Sequence, residues 1–156
     1  MRHAALTLST LGLALSAAAC HWSTAPAVGD EAGRYIAQSV ARRPLPALVD
    51  TAADGFGVVL ADTLELDGRG GARRAIAFRR YYARTGSDEV YHPEFRAQYR
   101  RQGDRLEVGS FDGCNDTITS SVCLPNDTGA VSAGGVSLVT SRYSYKVPVV
   151  FGRVAP

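Results

Sequence analysis

The chain has 156 residues, 46% of them hydrophobic and 21% charged, with a formal net charge of +2. That length suits one domain, and the apolar content excludes a disordered chain. A charge so close to zero gives nucleic acid no general electrostatic hold on the molecule.

Residues 1–19 have the layout of an export signal: basic Met1-Arg2-His3, an apolar run from Ala4 to Leu15, then small residues to Ala19. The run is too short to span a bilayer. Cys20 follows directly, as the lipidated cysteine of a bacterial lipobox does, although Ala17 stands where Leu is usual. Ala17-x-Ala19 also suits plain signal cleavage, which would make the protein secreted rather than anchored. Cysteine arithmetic favours lipidation, because removing Cys20 leaves an even pair, Cys114 and Cys123. Residues 20–32 are then a lipidated cysteine and a tether rich in Ala, Pro, Ser and Thr, and residues 33–156 are the folded domain.

From Gly33 onward, short segments of alternating polarity are separated by Gly, Asp, Asn and Pro clusters, the pattern of consecutive strands. Ala47 to Ala53 offers at most one or two helical turns. Val58, Leu60, Leu64 and Leu66 share one parity, interrupted by Asp62, and Asp67 to Gly71 turns the chain into a long strand from Ala72 to Arg84. Phe95, Ala97 and Tyr99 alternate with polar residues, and a short strand holding Leu106 and Val108 follows. Further strands are expected over 117–122, near 129–132 and over 136–140. Tyr143, Tyr145, Val147, Val149 and Phe151 then place five large groups on one face, with an edge or bulge expected at Pro148. Seven to nine strands with hairpin-length links predict an all-β fold. The closed antiparallel barrel is the economical architecture, and a β-sandwich is the alternative.

Gly33-Arg34-Tyr35, Ser39-Val40 and Pro44-Leu45-Pro46, with the hairpins at Thr63–Gly68, Tyr99–Val108 and Gly129–Leu138, resemble small bacterial lipocalin-like lipoproteins. The resemblance implies an up-and-down barrel of about eight strands, shaped as a cup, and specifies no ligand. Tyr35 stands where true lipocalins carry Trp, and Ala41-Arg42 where an Asn-Gly turn is frequent. Arg153 is placed to be the arginine that packs across the barrel end.

Cys114 and Cys123 enclose a short polar loop, and in an exported chain they read as a hairpin disulfide worth about 3 kcal/mol. No enzyme motif occurs, so the protein is read as a non-enzyme without metal or cofactor. His92, in Tyr91-His92-Pro93, is either a group at the barrel rim or a plain loop imidazole. Asp112, Asp116 and Asp127 do not follow calcium-loop spacing and read as solvated acids. Ten of the sixteen arginines lie between Arg69 and Arg105, against four acids. Arg74, Arg80 or Arg84 could point into a cup toward an anionic group, or coat the outside and pair with Asp62, Glu65 and Asp67. The candidate ligand-binding residues are Arg74, Arg80, Tyr82, Tyr99, Tyr143 and Tyr145.

Two functions follow. One is a monomeric envelope lipoprotein that holds a small amphipathic, hydrophobic or anionic ligand in a cup. The other is a structural or interaction lipoprotein whose barrel is filled and whose loops contact a protein partner or inhibit an envelope enzyme.

Overall fold

The computed structural model of the protein describes residues 31–111, 126–143 and 146–155. Eleven strands run through them: β1 (Gly33–Val40), β2 (Arg43–Pro44), β3 (Ala47–Ala52), β4 (Gly55–Leu66), β5 (Gly71–Tyr82), β6 (Ser87–Tyr91), β7 (Glu94–Gln102), β8 (Arg105–Gly109), β9 (Asp127–Ser132), β10 (Gly135–Thr140) and β11 (Val147–Arg153). Every pairing is antiparallel. Eight strands close a ring in the order β1-β11-β10-β9-β8-β7-β5-β4, with β4 returning to β1 through Gly33↔Leu66 to Ile36↔Thr63. One sheet closed on itself excludes the sandwich, in which two sheets face each other.

The β4–β5 hairpin is longer than the barrel, and each of its strands has an interrupted neighbour. β4 pairs with β1 along its second half and with β3 along its first. β5 pairs with β7 along its first half and with β6 along its second, in one continuous register broken at His92-Pro93. Pro93 has no N–H to give to a ladder. Its carbonyl still accepts from Ile76 N at 3.0 Å. β3 and β6 thus flank an extension of the barrel wall beyond its mouth.

Ala47 to Ala53, expected as helical turns, instead contributes β3. Its buried Ala47 and Val49 alternate with exposed neighbours, and β4 supplies the backbone partners. The expected parity of β4 also changes midway. A bulge between Val59 and Ala61 turns Val59 inward and leaves Leu60 exposed, while Asp62, Leu64 and Leu66 face the core. Period-two counting cannot see an inserted residue. The last strand starts at Val147, so Tyr143 lies in the turn before it, although its ring is still buried. β11 is no edge, being paired on both sides. Pro148 lies just beyond its pairing with β1, where its carbonyl accepts from Ala41 N, and the bulge falls instead between Ala37 and Ser39 of β1.

Inward side chains fill the ring. Tyr35, Val40, Val59, Leu64, Leu106, Val136, Leu138, Val149 and Phe151 are each at most 2% exposed. Burying a Val, Leu or Phe contributes about 1.5–3 kcal/mol, so this core carries the fold. One end is sealed. Arg153 lies 6.0 Å from the Tyr35 ring and donates to Ala32 O at 2.7 Å. Buried Glu31 pairs there with Arg101 at 2.7 Å, and its backbone carbonyl accepts from the Tyr35 hydroxyl.

Candidate functional site

At the other end, a buried polar cluster floors the barrel mouth. Arg74 of β5 and Asp62 of β4 are diagonal neighbours, since Arg74 stands opposite Leu64 and Asp62 opposite Ile76. Arg74 Nε lies 3.0 Å from Asp62 Oδ1, and Nη2 lies 2.6 Å from Oδ2. Nη2 also donates to the Tyr143 hydroxyl at 3.0 Å, and Nη1 to Asp127 Oδ2 at 2.8 Å and Thr140 Oγ1 at 2.9 Å. All five guanidinium N–H donors are therefore engaged. The Tyr143 hydroxyl in turn donates to Asp62. β4, β5, β9, β10 and the turn before β11 meet at this one side chain, which also lies 5.5 Å from the rings of Tyr143 and Phe151.

Burial sets the electrostatics. Loss of water raises the Tyr143 hydroxyl far above the ordinary phenol range, with the Asp62 carboxylate adding to it. Burial also lifts Asp127 above the usual carboxylate value, against the pull of Arg74. Its Oδ1 is buried and has no hydrogen-bond partner among the described residues.

Above this floor a cleft of about 460 Å³ opens, lined by Ile76, Phe78, Tyr91, His92, Pro93, Arg142 and Tyr143. It lies beside the His92-Pro93 interruption of the β6–β7 strand. Gly57 of β4 fixes one wall, because a Cβ there would stand 2.5 Å from Phe78 Cζ. The Phe78 ring occupies the room a side chain would need. Arg142 lies 4.9 Å from the Phe95 ring. Its one ionic contact among the described residues is Asp127 Oδ2, at 4.0 Å from Nε.

The candidate ligand residues do not form one site. Arg74 and Tyr143 do come together, but Arg74 is neither free for a ligand nor on the outside. Its pairing with Asp62 is internal. Asp127, expected as a solvated acid, is 3% exposed because β9 begins at Asp127, two residues before the stretch expected near 129–132, and carries it inward. Arg80 and Tyr82 lie on the inner face of the extension, where Arg80 pairs with Asp50 and stands 5.7 Å from the Tyr82 ring. Arg84 is exposed and borders a smaller depression of about 250 Å³ with Asp54, Thr85 and Glu89. Tyr99 is at the sealed end, its hydroxyl 3.5 Å from Glu31 Oε1 and raised in pKa mainly by burial. His92 is exposed at the cleft rim. Tyr145, Cys20, Cys114 and Cys123 lie outside the described residues.

Asp62, Thr140 and Arg142 had no place among the candidates. A signal existed for Asp62: it is the one acid on an otherwise apolar parity, facing a strand that carries Arg74 between Ala72 and Ile76. Arg142 gave none, because a turn residue has no face to assign. No family model, curated protein or solved structure matches this chain.

Proposed function

We propose that this protein is an exported lipoprotein of the cell envelope, anchored through Cys20, that holds a small amphipathic molecule in the cleft at its barrel mouth. The carrying observation is the cleft itself. Ile76, Phe78 and Pro93 offer an apolar wall, with Tyr143, Arg142 and His92 as the polar groups beside it. A concave, mostly apolar site with a few convergent polar groups is the usual form of a small-molecule site. The finer parts of the reading, the lipid on Cys20, the Cys114–Cys123 disulfide and the kinship with lipocalin-like lipoproteins, rest on the sequence.

One observation favours a second reading, a structural or interaction lipoprotein. The interior below Tyr143 is filled by side chains and the Arg74 cluster, so the cup is shallow. Mass spectrometry of the natively purified protein separates the two. Ligand binding predicts a released small molecule or, in the stripped protein, saturable uptake of a fluorescent amphiphile. A ligand-free barrel with no saturable uptake supports the second reading. The same spectra report diacylglyceryl on Cys20 and the oxidation state of the other cysteines.

A further inference from the structure

We infer that the cleft selects amphipathic anions, with the guanidinium of Arg142 receiving the acidic head. This rests on the reading of the cleft as a ligand site and specifies what that site takes. Arg74 and Arg142 share one end of the barrel but differ in how their donors are used. Arg74 gives all five N–H groups to Asp62, Asp127, Thr140 and Tyr143. The Arg142 side chain is only 14% exposed, yet its guanidinium donates no hydrogen bond among the described residues. The backbone N–H of Arg142 is held by Thr140 Oγ1 at 3.2 Å, which fixes where the side chain starts.

A guanidinium withdrawn from water without acceptors is unfavourable, and a charged acceptor relieves it best. The neighbouring carboxylates do not fill that role. Asp127 Oδ2 accepts from Arg74 at 2.8 Å and stands at 4.0 Å from Arg142 Nε, beyond hydrogen-bond reach. Asp62 is taken by Arg74 and the Tyr143 hydroxyl. Glu94 is bound by Arg73 through both oxygens, and Glu89 accepts from the Tyr91 hydroxyl. The Phe95 ring at 4.9 Å favours the cation there without using an N–H. His92, on the same cleft, adds a second potential donor. An anionic head against Arg142 leaves its chain to follow Ile76, Phe78 and Pro93.

The test compares four ligands that share a ten-carbon chain: decanoate, decyl phosphate, decanol and decylamine, with inorganic phosphate as a chainless control. Affinities are measured by displacement of a fluorescent amphiphile from the stripped protein. One or both acids are expected to bind about tenfold or more tightly than the alcohol, with the amine weakest. The tighter acid identifies the head group. Arg142→Gln should bring the acids to the affinity of the alcohol and leave the alcohol unchanged, and Arg142→Lys should retain part of the preference. Thermal melting of both variants checks that the barrel stays folded. Equal binding of acid and alcohol overturns the inference alone, as does a preference that survives Arg142→Gln in a folded variant. Inorganic phosphate binding as tightly as decyl phosphate overturns the amphipathic part. No binding by any ligand defeats the cleft reading as well.

Discussion

Arg74 and Asp62 meet diagonally across the β4–β5 hairpin at 2.6 Å, with side chains 5% and 0% exposed. Either charge left there without its partner would be costly. Removing one partner of a buried pair strands the other, which costs about 3–5 kcal/mol, whereas replacing both by apolar groups costs far less. Arg74→Ala is therefore expected to lower stability by about 3–5 kcal/mol in urea denaturation. Arg74→Met combined with Asp62→Leu should be less damaging than the two single losses summed, although Asp127 then loses its closest cation. Strict additivity would remove the pairing from the account.

Asp127 gives the stability of the barrel a distinctive pH slope. Its carboxyl is raised above the ordinary range chiefly by burial. A raised folded pKa means the native state binds the proton more readily than the unfolded chain. Its contribution is thus fully present below the unfolded pKa and is lost as pH rises through the folded one. Asp88 and Glu94 are lowered by Arg79 and Arg73, so their contributions run the other way and fade in acid. The melting temperature of the parent should therefore fall relative to that of Asp127→Asn as pH rises from the ordinary carboxylate range through the raised titration of Asp127. A constant offset across mildly acidic pH would contradict this.

Gly57 shapes one wall of the cleft through Phe78. Its added methyl would meet Phe78 Cζ at 2.5 Å, so Gly57→Ala must move the ring. The expected result is a loss of about 1–3 kcal/mol in stability, as for other overpacked sites. A weakened uptake of fluorescent amphiphile should accompany it. Unchanged uptake in the folded variant would separate Phe78 from the ligand.

The β1–β2 turn holds two non-glycine residues in the left-handed region, Ala41 at φ 51° and Arg42 at φ 64°. Each costs roughly 1–2 kcal/mol relative to a residue suited to that region. Ala41→Asn with Arg42→Gly supplies the preferred residues for such a hairpin turn and should stabilise the protein by about 1–2 kcal/mol. Chemical denaturation measures it. A neutral or destabilising result would mean that Arg42 makes an interaction its exposed position does not suggest.

The strands were legible in the sequence wherever alternation was uninterrupted: Phe95, Ala97 and Tyr99 in β7, Leu106 and Val108 in β8, and Val147, Val149 and Phe151 in β11. The fold class followed from counting such runs. Bulges at Leu60 and Gln38 were not legible, since each depends on what the partner strand does. The site was half legible. Arg74 and Tyr143 were among the candidate residues, with the side to which Arg74 points left open, but their partners come from three other strands, and only closure of the ring brings Asp62, Asp127 and Thr140 to them. Arginine density in the middle of the chain pointed to the right strand without showing which residue faces in. Others pair outside, as Arg73 does with Glu94 and Arg79 with Asp88.

The chain enters the barrel at its sealed end, where Glu31 is tied to Arg101, and the cleft opens at the far end. This gives the molecule a polarity with respect to any surface that holds Cys20. The ten residues from 21 to 30 reach at most about 35 Å when fully extended. If Cys20 carries the lipid proposed for it, the tether joins the domain at its closed base, and the opening lies at the end remote from the attachment. Cargo would then be exchanged with the aqueous space or with a facing layer of the envelope, and not drawn straight from the bilayer beneath.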